Sequence, residues 1–98
     1  GSHSYGLPSN QVTVDNLADN LLVTFGTDKI EIRVKATAGE LDDFNLDEVK
    51  ASVDLKDMEV GSYQIPVTVK LPKGFELLDD VVADVTISEV SNSDTNNE

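Results

Sequence analysis

From Lys29 to Ala36 the sequence KIEIRVKA alternates without error. Ile30, Ile32, Val34 and Ala36 share one face, and Lys29, Glu31, Arg33 and Lys35 share the other. A period of two is the mark of a half-buried strand. The same pattern recurs through the chain. QVTVD (11–15) places Val12 and Val14 together, LLVTF (21–25) follows the polar break NLADN, and VKASVDL (49–55) aligns Val49, Ala51, Val53 and Leu55. Near the end, VVADVTI (81–87) aligns Val81, Ala83, Val85 and Ile87. Between Thr37 and Asn45 the period changes. Leu41 and Phe44 are three apart with acids nearby, which predicts one helix of about two turns. A helix that short does not stand alone, so Leu41 and Phe44 must anchor it to the sheet.

One strand contains an anomaly. In SYQIPVTVKL, Tyr63, Ile65, Val67, Val69 and Leu71 alternate with polar neighbours, yet Pro66 sits in the middle. Proline cannot donate to a ladder, but it is tolerated where its missing N–H would point away from a neighbouring strand. This strand therefore either lies at an edge, where the proline blunts unwanted pairing, or crosses between two partners there. Gly61 precedes the strand and is available for a positive φ, and Pro72-Lys73-Gly74 supplies the turn after it.

These elements predict a mainly β fold: a small single domain of about six short strands with one short helix. The expected domain covers 5–90. Residues 1–4, GSHS, read as a purification-tag remnant, which sets aside the sole histidine, His3, as a ligand. The tail 91–98, SNSDTNNE, has no apolar residue and is expected to be disordered.

Composition narrows the partners. The chain has 98 residues, 19 acidic and 7 basic, for a net charge of −12. Such a body repels nucleic acid and anionic lipid over a Debye length of about 8 Å. The apolar runs (21–23, 77–78, 81–82) fall far short of the ~20 residues needed to span a bilayer, so no membrane insertion by this segment is expected. The chain as given reads as soluble and monomeric when isolated. With no cysteine, thiol chemistry and disulfides are excluded.

No catalytic pattern is present. Without His3 the titratable groups are mainly carboxylates and lysines. The pairs Asp42-Asp43, Asp47-Glu48 and Asp79-Asp80 are sequence neighbours, which diverge on either a strand or a helix and so make poor ligand pairs. Phosphate-cradling glycine loops and nucleophile elbows are missing. No catalytic, cofactor or metal residue is assigned. The candidate interaction patch is Lys29, Arg33 and Lys35, which gather three of the seven basic side chains on one strand face. Its alternative reading is basic side chains that merely blunt an exposed strand and offset nearby acids.

The order of features resembles the YbbR domain from about Val12 to Ile87. The best-marked stretch is KASVDL, then Gly61 and SYQIPVTVKLPKG, similar to that family's A-x-V-D-L, G-x-Y, hydrophobic-Pro-Val and L-P-x-G run, with Pro66 at its proline. NLADNLLVTFGTDKIEIRVKAT is similar to the family's upstream turn and strand, with Ala18-Asp19-Asn20 where Pro and Gly are usual. The resemblance implies a non-enzymatic module that needs no cofactor, one of several tandem repeats on the outer face of the plasma membrane in a Gram-positive, membrane-anchored parent. It further implies regulation of a membrane diadenylate cyclase, and hence cyclic di-AMP signalling, with that cyclase or sister repeats as protein partner. The polar tail suggests the last repeat. The competing reading is an acidic adhesin-like β module for calcium or cell-wall glycan. The absence of Trp and the few other aromatics disfavour a sugar platform.

Overall fold

The unbroken alternation of Lys29–Lys35 forms the strand on which the first sheet is built. In the computed structural model, which describes residues 1–90, Ile30, Ile32 and Val34 are buried and the residues between them exposed. The chain contains nine strands among the described residues: β1 Ser2–Pro8, β2 Val12–Asp15, β3 Leu21–Phe25, β4 Lys29–Lys35, β5 Lys50–Asp54, β6 Gly61–Pro66, β7 Thr68–Lys70, β8 Glu76–Leu77 and β9 Val82–Glu89. The only α-helix among these residues is α1, Ala38–Asp42. The polar segment 91–98, expected to be disordered, lies outside the described residues.

Three small sheets result, in the orders β1-β4-β8, β2-β5-β7 and β3-β9-β6. Nearly all pairs are antiparallel, but β2 lies parallel to β5, with Val12 opposite Ala51 and Val14 opposite Val53. A parallel pair needs a long crossover. Here β3, β4 and α1 make it.

The buried set is entirely apolar: Leu7, Val12, Ile30, Ile32, Val34, Val49, Ala51, Val53, Leu55, Ile65, Val67, Val81, Ala83, Val85 and Ile87. Every inward position read from alternation in β5 and β9 is in it. Among the described residues no buried side chain is polar, so the interior side chains contribute through hydrophobic burial alone.

The six expected strands become nine for local reasons. β1 was not foreseen. SHSYGLP offers few strong strand formers and includes glycine and proline, yet Leu7 is fully buried and Ser2–Pro8 pairs with the whole of β4. Pairing thus begins at Ser2, ahead of the expected boundary at Tyr5. β8 is only two residues, paired with Val34 and Lys35, too short for any period to mark it. The third addition is the strand containing the proline, which divides in two.

That division explains Pro66. Residues 61–66 pair with β9, and the backbone N–H of Val67 donates to the Val81 carbonyl at 2.8 Å. One residue later the pairing passes to β5, with Thr68 opposite Ser52 and Lys70 opposite Lys50. In an antiparallel ladder, alternate residues direct their N–H to the partner. Since Val67 does so, Ile65 and Tyr63 do as well, and residue 66 faces the other way. Pro66 therefore gives up no ladder bond. It occupies the place where the strand leaves β9 and has not yet met β5.

The helix is shorter than the 37–45 expected. Thr37 caps it, its Oγ1 accepting from the Glu40 N–H at 3.4 Å while Glu40 Oε1 accepts from the Thr37 N–H at 3.3 Å. A 3-10 turn, Leu46–Glu48, follows, capped by Asn45 Oδ1 accepting from the Asp47 N–H at 2.9 Å. Leu41 and Phe44 do anchor this stretch, both half-buried against the core. The Phe44 ring lies 4.4 Å from Tyr5 and 5.0 Å, edge-on, from Phe75. Aromatic pairs at such distances add about 0.5–1.5 kcal/mol beyond area burial.

Gly74 has φ 95°, and a Cβ there would come within 2.7 Å of Glu40 Oε2. Its turn thus sits directly against the helix cap.

Replacement of Pro66 by Ala should change stability by no more than about 1 kcal/mol, because no ladder bond is involved. Replacement of Val67 by Pro, one residue on, removes the bond to Val81 and should cost about 3 kcal/mol or more in urea unfolding. Val67→Asp should bury an unpaired carboxylate at a side chain only 7% exposed. A cost of several kcal/mol would unfold a domain whose total stability is about 5–10 kcal/mol.

Candidate interaction surfaces

The outward residues of β4 form the first surface. Lys29, Arg33 and Lys35 are all exposed on one side of the strand, but they do not make a uniform patch. Glu31 interrupts them. Arg33 Nη1 pairs with Asp79 Oδ2 at 3.1 Å, and both side chains are at least half exposed, so the pair contributes about 1 kcal/mol or less. The Lys29 stem lies over Gly6 of β1, where an added Cβ would come within 3.0 Å of Lys29 Cδ. Lys35 lies opposite Glu76 of β8 and borders a recess of about 560 Å³ with Thr37, Glu40 and Phe75. The strand thus brings Arg33 and Lys35 close together and leaves Lys29 at the far end. β1 flanks β4 throughout, and β8 flanks it only at Val34 and Lys35.

A second surface escaped the sequence reading. On the β2-β5-β7 sheet, Thr13, Ser52 and Thr68 stand in one cross-strand row, and Lys50 lies directly opposite Lys70. With Asn10, Gln11 and Asp47 they line an open polar groove of about 600 Å³. Gln11 Nε2 donates to the Leu46 carbonyl at 2.6 Å and so ties the groove wall to the 3-10 turn. Two ammonium groups directly opposite repel one another, and the one ion pair among the described residues is Arg33–Asp79. Alternation could show that Lys50 and Lys70 face outward. Only register could show that they face outward together.

At the far end of the same sheet, Asn16 adopts φ 62° and donates from Nδ2 to Asp54 Oδ1 at 3.0 Å. The Lys56 N–H donates to the same oxygen at 3.0 Å. The Asn16 bond first, then the Lys56 N–H, hold the Asp54 carboxyl below the ordinary aspartate value of 3.8; desolvation opposes them less strongly than either, and the Lys56 charge adds the smallest lowering effect. Among the described residues no three His, Cys, Asp or Glu side chains converge as a metal set would require. The surface chemistry on offer is ionic contact and hydrogen bonding by exposed groups.

Three small sheets around one aliphatic core, two of them joined by a strand that changes partner at a proline, define a small mixed-β module. The profile of the YbbR-like protein family matches residues 10–89, and the chain belongs to that family. No curated protein matches it. Three solved structures share the fold at low identity. The YbbR-like domain of a Listeria monocytogenes protein has a TM-score of 0.61 at 13% identity, covering 95% of this chain and 98% of that one. Domain IV of the YbbR family protein of Desulfitobacterium hafniense has a TM-score of 0.67 at 16% identity, with 85% of each chain covered. A YbbR-like protein from Streptococcus pneumoniae has a TM-score of 0.64 at 13% identity, covering 91% of this chain but 48% of that one.

The motif that carried the resemblance has a structural basis. Tyr63 lies over Gly61, and its hydroxyl donates to the Glu59 carbonyl at 2.9 Å. A Cβ on Gly61, whose φ is +154°, would meet that hydroxyl at 3.2 Å. Gly61→Ala should therefore cost about 1 kcal/mol or more, and Tyr63→Phe about 0.5–1.5 kcal/mol, read as shifts in the urea midpoint.

For Asp54, the carboxyl titration followed by NMR should have its midpoint below 3.8, and Asn16→Ala should raise it. Because the folded pKa is the lower one, this group's stabilisation is present above the unfolded value and is lost as pH falls through the folded value.

Proposed function

We propose that the chain is a non-catalytic, extracytoplasmic protein-interaction module, one repeat of a membrane-anchored regulator of a diadenylate cyclase. The observation that carries this reading is membership of the YbbR-like family over residues 10–89. Serial arrangement is supported by the relatives. One is named as domain IV of its parent, and in another this fold accounts for 48% of the chain. The proposed role needs no cofactor and no reacting group. It needs a stable frame and a solvated surface, and the basic side of β4 is the proposed contact, because Arg33 and Lys35 concentrate positive charge on a body of net charge −12. An exposed basic face on an acidic module selects partners by charge and speeds encounter more than it adds affinity.

The test uses the intact parent protein. Lys29, Arg33 and Lys35 are replaced together by Gln, retention of fold is checked on the isolated domain, and cyclic di-AMP is measured in cells. A changed nucleotide level is the expected result. Wild-type levels would reject the β4 face as the contact, and wild-type levels after deletion of the whole domain would reject the regulatory role for this repeat. Calcium titration followed by NMR supplies the remaining control, since saturable shifts at micromolar calcium would instead indicate a calcium-binding adhesin-like module.

A further inference from the structure

Each sheet leaves two strands with one unpaired side, and most of these edges carry a feature that discourages further pairing. β1 contains Gly6 and ends in Pro8, β8 is two residues long, and β7 is three residues long and ends in Lys70. β2 is four residues long and ends in Asp15, while β6 starts at Gly61 and ends at Pro66. β3 is the exception among the described strands. LLVTF is five residues without a charge, a proline or a glycine, and β9 is its one neighbour.

The register shows which groups on that edge are open. The Gly26 N–H donates to the Asp84 carbonyl, and the Val90 N–H to the Asn20 carbonyl, both at 2.9 Å. Even-numbered residues of this stretch therefore face β9, and Leu21, Val23 and Phe25 direct their backbone groups away from it. The Leu21 N–H closes a turn onto the Ala18 carbonyl at 3.0 Å. That leaves the N–H groups of Val23 and Phe25 and the carbonyls of Leu21, Val23 and Phe25 as a ladder with no strand beside it among the described residues.

We propose that the free edge of β3 is a docking site for an extended segment of another polypeptide, which adds as a fourth strand to the β3-β9-β6 sheet. This rests on the reading of the chain as an interaction module and gives it a second surface, distinct from the side of β4. The surroundings specify the occupant. Exposed Asp19 and Asp28 lie in the loops at either end of β3, and the whole chain has a net charge of −12. A second copy would bring an equal negative charge to the same place. The complementary partner is a strand with alternating apolar side chains flanked by lysine or arginine. Main-chain hydrogen bonds supply its affinity, and the charged ends supply its selectivity.

The probe is a synthetic peptide, Lys-Arg-Thr-Val-Thr-Val-Thr-Arg-Lys, titrated into the labelled 98-residue chain with amide exchange read by NMR. Free protein should show slow exchange at Leu22 and Thr24 and fast exchange at Val23 and Phe25. Bound peptide should slow the latter two specifically. Val23→Pro, which removes an outward donor while leaving the bonds to β9, should weaken binding about tenfold or more. If Val23→Pro does not fold, paired Asp19→Asn and Asp28→Asn substitutions serve, with an expected loss of about threefold that disappears at high salt. Protection of Val23 and Phe25 in the free protein, no shifts up to about 1 mM peptide, or shifts centred on another edge would each overturn the proposal. These outcomes are independent of the nucleotide measurement: failure here leaves the regulatory role standing on another surface, and failure there leaves the β3 edge intact.

Discussion

The bond from the Val67 N–H to the carbonyl of Val81, the residue that leads into β9, is 2.8 Å long, and the next residue already pairs with β5. Two sheets are thereby joined through one continuous segment, and the inward side chains on both sides of the junction, Ile65 and Val67, enter the same core. A domain of this size buries only about 60–65% of its unfolded surface. Each of the three three-stranded sheets needs a partner to cover its apolar face. The shared strand holds two of them against one core, to which the β1-β4-β8 sheet adds Leu7, Ile30, Ile32 and Val34, and among the described residues no buried side chain is polar.

The family motif reads in the same terms. Ala51, Val53 and Leu55 are the inward face of β5, Asp54 ties β5 to the turn after β2, Gly61 makes room for Tyr63, and Gly74 fits beneath Glu40. Pro66 stands where no N–H is needed. Each of these residues answers a local steric or hydrogen-bonding demand of the frame. What differs between members of such a family can then reside in outward side chains and open edges, which the frame holds but does not specify.

The sequence was legible where burial is one-sided. Alternation in β4, β5 and β9 identified the inward residues, because a slip of one would expose the whole apolar set. The Leu41 and Phe44 anchors were legible for the corresponding reason at helical spacing. Three features were not. β1 is recruited by pairing with β4 rather than by its own propensity, β8 is too short to show a period, and the parallel match of β2 with β5 is long-range. The same limit applied to surfaces. Lys29, Arg33 and Lys35 were visible on one strand, whereas the opposition of Lys50 and Lys70 and the unguarded side of β3 exist only once strands have neighbours. Pro66 was intermediate: local rules left two explanations open, and pairing selected the exchange of partners.

The exchange of partners can be read directly from amide hydrogen exchange along residues 61–70. While the strand faces β9, the odd-numbered amides of Tyr63, Ile65 and Val67 should be protected and that of Gln64 should exchange quickly. After the junction the phase should reverse, with Thr68 and Lys70 protected and Val69 fast, since even-numbered residues direct their N–H away from β9, to the side on which β5 pairs. Protection that continued on odd residues through Val69, with Thr68 and Lys70 exchanging quickly, would mean a single uninterrupted ladder and would contradict the shared-strand account.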